Sequence, residues 1–271
     1  MQQLHAIEER IYMNKNRIER IFNNQKAFIP FITCGDPSLE VTEQLVYTME
    51  QAGADLIELG IPFSDPTAEG IVIQEANIRA LKAGVTTDKI FQMVKSIRKN
   101  SNIPLVFMTY ANVVFSYGIE SFIKIAAEVG IDGLILPDVP LEEKEEFHMV
   151  CKKYQIIFIS LIAPTSKERI KRIAKEAEGF VYCVSSLGVT GVRKEITTDV
   201  NKMIELVKET KEIPCAIGFG ISTTEQAKQM AHLSDGVIIG SAIVKLCEKY
   251  GKNCVPYVKE YVQEIKEAIT F

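Results

Sequence analysis

What this chain lacks narrows its function before any motif is considered. Positive charge is not in surplus: 31 lysines and arginines stand against 35 aspartates and glutamates, for a net charge of -4 and a pI near 5.6. Nucleic acid or an anionic membrane would call for a basic surface, so neither is expected as a partner, and a small molecule is the default. No stretch approaches the roughly 18 apolar residues of a membrane helix. The opening MQQLHAIEERIYMNKN is too polar for a signal peptide. The six cysteines form no C-x-x-C pair and have no histidine at ligand spacing, which argues against a metal site. Cys34, Cys183 and Cys215 lie in apolar runs, where a reduced thiol behaves as a small hydrophobe, so a reducing cytoplasm is expected. Of the three histidines, His5 and His232 fall in helical patterns and His148 in the charged EEKEEFHMV stretch, where each reads as surface or packing.

What is present is a repeated alternation. Eight short runs rich in β-branched or aromatic residues recur along the 271 residues: FIPFITC, DLIELGI, LVFMTY, GLILPD, IIFISLIA, FVYCVS, CAIGFG and GVIIGS. Between them lie segments with helical apolar spacing, such as Ile90, Phe91, Val94 and Ile97, or Ile170, Ile173, Ala174 and Ala177. Thr165 with Glu168, and Ser222 with Glu225, have capping-box spacing at two helix starts. Strands apolar on both faces and alternating with helices imply a parallel sheet covered by helices. The expected fold class is therefore α/β, a (β/α)8 TIM barrel forming a single domain over 1–271; a doubly wound open sheet is the alternative, although no strand opens a helix with a dinucleotide fingerprint. Leu4, Ile7, Ile11, Ile18 and Phe22 predict an extra N-terminal helix over the barrel's bottom, with 1–12 as an extension that frays.

Barrel chemistry sits where strands end at their C-terminal side. Thr33, Glu58, Tyr110, Asp138, Tyr182 and Ser185 occupy those positions. Glu58 alternates with Ile57 and Leu59, so it is expected to point inward, where burial raises a carboxyl pKa toward neutrality and suits it to acid/base work. The alternative is a glutamate paired with a buried cation, or an outward residue if the strand phase is wrong. The loop IPFSDPTAEGIVIQ is long for a βα connection and brings Asp65 and Glu69 above the same end. Two carboxylates in one strand-loop unit can divide proton donation and abstraction, whereas the plain reading makes Asp65 a turn residue and Glu69 a solvated helix start. SSLGVTG, GFG and IGS follow late strands, and their backbone amides suit one phosphate, although glycines also make ordinary turns. No lysine lies within the eight runs, so a Schiff-base aldolase lacks its nucleophile. Asp138, in LPDVP, is equally readable as a substrate or partner contact and as a turn residue.

FIPFITCGDP, IELGIPFSDP, MTYAN, PDVP, SSLGVTG, GFGIS and GSAIVK occur in this order, and over residues 14–271 the chain resembles the tryptophan synthase alpha subunits. The resemblance implies a lyase that cleaves indole-3-glycerol phosphate to indole and glyceraldehyde 3-phosphate by a retro-aldol reaction. It implies no cofactor in this chain, PLP being held by a partner beta subunit in an αββα assembly. By the same resemblance, Glu58 protonates the indole ring carbon and handles the glycerol proton, and Glu69 bonds the indole N–H. Phe31, Met108, Ile135 and Ile239 line the indole pocket and Tyr182 approaches the substrate. Gly191, Gly220, Gly240 and Ser241 bind phosphate, while Thr190 closes its loop onto Glu69. Asp65, Asn112 and Pro140 face the beta subunit.

The chain departs from the family pattern in places. Glu69 stands where aspartate is usual, Thr67 where leucine is, Ile71 where proline is, and Ser186 where some members carry arginine. None removes a carboxylate, so the activity expectation stands. The other functions left open are a weakly catalytic subunit that mainly activates a beta subunit and a stand-alone indole-releasing lyase. Glu69→Asp is expected to keep activity, unless the loop is built around the longer side chain.

Overall fold

The computed structural model describes residues 17–23, 25–184, 193–218 and 220–271, with side chains for all of these except 193–199. Its strands are β1 (Ala27–Thr33), β2 (Ile57–Gly60), β3 (Leu105–Met108), β4 (Gly133–Ile135), β5 (Ile157–Phe158), β6 (Ser160–Ile162), β7 (Val181–Val184), β8 (Cys215–Gly218) and β9 (Gly236–Ile239). All pairings are parallel, in the order β5-β4-β3-β2-β1-β9-β8-β7-β6. β5 and β6 are two halves of the single run IIFISLIA, separated at Ile159. The first half pairs with β4 and the second with β7, so one run joins the two ends of the sheet and the ring nearly closes. The expected barrel is present, with its fifth strand broken. Closing a barrel staggers the strands, so the two neighbours of one run meet it at different heights.

Successive side chains on each strand point to opposite faces. Ala27, Ile29, Leu56, Val106, Ile135, Ile157, Ile159, Phe180, Tyr182, Ala216 and Ile238 pack together inside the ring. Their neighbours Phe28, Ile57, Phe107, Leu134, Phe158, Val181, Ile217, Val237 and Ile239 pack outward among the helix side chains. At the barrel's lower end, residues 17–20 are helical, and Ile18 and Ile21 join the inner cluster, with the Phe22 ring 5.5 Å from Phe180. Leu4, Ile7, Ile11 and the extension 1–12 lie outside the described residues.

Three aspartates organise the same lower end. Asp55, Asp132 and Asp235 each precede a strand, and each accepts a backbone N–H at the start of the neighbouring strand: Phe28 at 2.7 Å, Leu105 at 2.9 Å and Cys215 at 2.7 Å. Each also meets a cation, from Lys266, Arg98 or Lys208 respectively. The caps sit one residue later than the spacing predicted. Ser166, not Thr165, accepts from the Arg169 N–H, and Thr223 with Gln226, not Ser222 with Glu225, forms the capping box. Gln226 is long enough for its Oε1 to accept the N–H of both Ser222 and Thr223, which pulls the box onto that pair.

Candidate active site

Glu58 lies in β2 between Phe31 of β1 and Val106 of β3. Its side chain is inside the barrel, 1% exposed, and Oε1 has no hydrogen-bond partner among the described residues. Burial, reinforced by the charge of Glu69, pushes its pKa up to about 8. The carboxyl therefore holds its proton at neutral pH. Glu69 is pushed up to about 7, first by burial, with a hydrogen bond from Asn77 acting in the opposite direction.

Three hydrogen bonds fasten the loop that carries Glu69. The Ala68 N–H donates to Tyr110 Oη at 2.9 Å, Gln74 Nε2 to the Glu69 carbonyl at 2.8 Å, and Asn77 Nδ2 to Glu69 Oε2 at 2.9 Å. Tyr110 is held in turn by Phe63, with ring centroids 5.2 Å apart. The helix Ile71–Lys82 begins immediately after Gly70, so Glu69 stands at its mouth. Ile71, where proline is usual in the resembled family, is the first helical residue and is 69% exposed.

A cavity of about 720 Å³ opens at the strand C-termini, and its walls include Phe31, Glu58, Glu69, Met108, Tyr182, Gly220, Ile238, Gly240 and Ser241. The Phe31 ring fits because two glycines flank it: a Cβ on Gly60 would come within 2.5 Å of Phe31 Cζ, and one on Gly240 within 3.0 Å of Cδ1. Tyr182 occupies space that a Cβ on Gly218 would invade, and its hydroxyl pKa is raised by burial and then by the charge of Glu58. Ser241 opens the helix Ser241–Tyr250 with Gly240 as its N-cap, so a helix N-terminus faces the cavity. That is a favourable end for an anion.

The indole-pocket expectation needs two corrections. Ile239 packs outward, and Ile238, in register with Ile29, lines the cavity instead. Ile135 is an inner side chain, but the cavity wall at that strand is made by Leu136 and Pro137. Asp65, Asn112 and Pro140 are exposed, with Pro140 on the cavity rim. Thr190, Gly191 and Ser186 lie outside the described residues. Asp138 accepts the Ala111 N–H at 3.0 Å, which caps the helix Ala111–Tyr117 from the adjoining loop and favours its structural reading.

Sequence reasoning missed Asn77 and Lys144. The signal for Asn77 was a polar residue on a helix face otherwise made of Ile73, Ala76 and Ala80. Lys144 gave none: within EEKEEF it reads as solvated, yet it is buried at the cavity wall and paired with Glu176 at 2.9 Å. Among the described residues no group of acidic, histidine or cysteine side chains could hold a metal, and no helix is long and apolar enough to cross a membrane.

The family model for the tryptophan synthase alpha chain matches residues 19–270. The alpha chain of Caldanaerobacter subterraneus subsp. tengcongensis is 48% identical over 261 residues, covering 94% of this chain and 100% of its own length. That of Lacticaseibacillus casei is 45% identical over 257 residues, with 95% and 97% covered. Among solved structures, tryptophan synthase subunit alpha from Legionella pneumophila superposes with a TM-score of 0.85 at 36% identity, covering 94% of this chain and 98% of that one. A chain of the tryptophan synthase a2b2 complex from Pyrococcus furiosus gives 0.83 at 36% identity, covering 89% and 98%. Similarity of this extent, over a span that includes Glu58 and Glu69, shows that the chain belongs to the tryptophan synthase alpha chain family.

Proposed function

We propose that this cavity cleaves indole-3-glycerol phosphate to indole and glyceraldehyde 3-phosphate, with Glu58 moving the proton and Glu69 stabilising the charge that forms on the ring. The family is a lyase family with this reaction. The observation that carries the assignment of residues is a buried carboxyl, Glu58, and a half-buried one, Glu69, lining one cavity, with pKa values of about 8 and about 7. Glu58, protonated at neutrality, gives its proton to the indole ring carbon that bears the glycerol chain. The ring becomes cationic, and ionised Glu69 accepts the ring N–H and offsets the charge as it forms. Glu58, now a carboxylate, takes the proton of the adjacent glycerol hydroxyl. The carbon–carbon bond breaks, its electron pair returns to the ring to give indole, and the former alcohol carbon leaves as the aldehyde. Protons balance, because the one donated by Glu58 is recovered from the hydroxyl.

Phe31, Met108 and Ile238 are the apolar walls for the indole, and Tyr182 borders it. Gly220, Gly240 and Ser241 offer backbone and helix-terminal donors to the phosphate; Thr190 and Gly191 are expected to complete that grip. No cofactor takes part in this chain's chemistry. The partner is a beta subunit holding PLP, in an αββα assembly, with Asp65, Asn112 and Pro140 on the facing surface. The Pyrococcus furiosus complex, described as mutually activating, supports that reading.

Indole release from indole-3-glycerol phosphate, measured for the isolated chain and again with a beta subunit, tests the proposal. Turnover that rises on adding the partner is expected, and absence of turnover in both conditions would overturn it. Glu58→Gln should abolish release while binding of a phosphorylated substrate analogue stays within about twofold, because the amide keeps the shape but has no proton to transfer.

A further inference from the structure

We propose that Asn77 is the positioning residue for Glu69: its side-chain amide pins Oε2 of the carboxylate, leaving Oε1 to meet the ligand N–H. This inference rests on the acid/base reading above and adds to it the group that orients the Glu69 carboxylate.

Asn77 is 3% exposed on the face of the helix Ile71–Lys82 that also buries Ile73, Ala76 and Ala80. A primary amide in such a place must find a partner, and Nδ2 finds Glu69 Oε2 at 2.9 Å. An amide N–H donates at every pH, so it favours the ionised carboxylate whatever the state of Glu58. It is also neutral. A lysine or arginine in its place would neutralise the carboxylate in an ion pair and weaken its field at a cationic ring, whereas asparagine leaves the whole charge available.

The helix that carries Asn77 cannot slide along the barrel. Two residues on, Arg79 grips buried Asp36 with Nε to Oδ1 at 2.9 Å and Nη2 to Oδ2 at 2.8 Å. The backbone at Glu69 is fixed from the other side by Tyr110 and Gln74. With both ends held, the reach of the Glu69–Asn77 pair is set by side-chain length. An aspartate at 69 would draw the carboxylate back by about 1.5 Å, which takes a 2.9 Å hydrogen bond out of range. Moving one methylene from residue 69 to residue 77 restores the sum. On this proposal Glu69→Asp loses activity, the outcome expected of a loop built around the longer side chain.

The test uses the full chain with its beta partner and four variants: Asn77→Leu, Glu69→Asp, Asn77→Gln, and Glu69→Asp combined with Asn77→Gln. Asn77→Leu should lower kcat about tenfold with KM changed by less than about twofold, and should move the acidic limb of the kcat/KM profile up by about one pH unit, the scale of one hydrogen bond to a charged acceptor. Glu69→Asp should behave alike, and the double variant should return to within about threefold of the parent. An unchanged acidic limb in Asn77→Leu would overturn the proposal, as would a double variant no better than Glu69→Asp. If Asn77→Leu fails to fold, as judged by its thermal melt, the rescue arm alone decides. Should the parent release no indole, the acid/base reading falls by itself. The Asn77 proposal is then read from the Glu69 titration in carbon-13-labelled chain, where Asn77→Leu must raise the pKa of Glu69 for it to stand.

Discussion

Glu58 is held in the barrel at a cost that depends on pH. In an unfolded chain it titrates near 4.5, and in the folded barrel at about 8. Between those values the folded state keeps a proton that the unfolded state has released, so stability is full below about pH 4.5 and falls as pH rises through the window. Glu58→Gln keeps the shape without an ionisable group, and so should raise the melting temperature more at about pH 9 than at about pH 5, by a stability gain on the order of a few kcal/mol. A scan at the two pH values checks this, and equal shifts would contradict it. Catalysis shows the complementary dependence. It needs Glu69 ionised and Glu58 protonated, so kcat/KM should rise through about 7 and fall through about 8, as two steps of a coupled pair. At this scale the sequence already pointed to Glu58, because one charge in an apolar run stands out. It could not tell Ile238 from Ile239. Both faces of β9 are buried, so GVII has no alternation from which to read a phase.

The strands owe their alignment at the lower end to Asp55, Asp132 and Asp235, each of which ties its own strand to the neighbouring one. Asp132 is the most buried of the three, its side chain inaccessible beside Arg98 at 2.9 Å and Arg17 at 3.0 Å. Asp132→Ala leaves the largely buried Arg98 without this carboxylate and the Leu105 N–H without its acceptor, and should cost about 3 to 5 kcal/mol in chemical denaturation. Asp235→Ala should cost less, because Asp235 and Lys208 are each about a third exposed and the ion pair is screened. The elements themselves were legible in sequence, since short runs rich in β-branched or aromatic residues alternate with segments of helical apolar spacing. The break at Ile159 was not. IIFISLIA is uniformly apolar, and only the different partners on its two sides divide it.

For the whole molecule, the last helix brings the end of the chain back to its beginning. Val255–Ile269 buries Val258, Val262, Ile265 and Ile269 in the outer core, which also holds Leu45 and Met49 of the helix Leu39–Gln51. Lys266 reaches Asp55 at 2.6 Å and the Lys26 carbonyl at 3.2 Å. Ile265 is fully buried, so Ile265→Ala should destabilise the barrel by about 2 to 5 kcal/mol, read from the denaturation midpoint. If the barrel unfolds as one unit, loss measured by tyrosine fluorescence and by circular dichroism should coincide. Separate transitions would show that it does not unfold as one unit.

Local pattern was enough to read the α/β class, the strand-end rule that drew attention to Glu58, and the glycine runs that suit a phosphate. Each depends on a few neighbouring residues and a fixed repeat. Three-dimensional packing decided the rest. It placed Glu69 beside Asn77, eight residues away, buried Lys144 despite its charged neighbours, and chose the inward isoleucine of β9. It also set the ionisation of the two carboxyls, because burial and proximity belong to the folded barrel and leave no mark on the order of the residues.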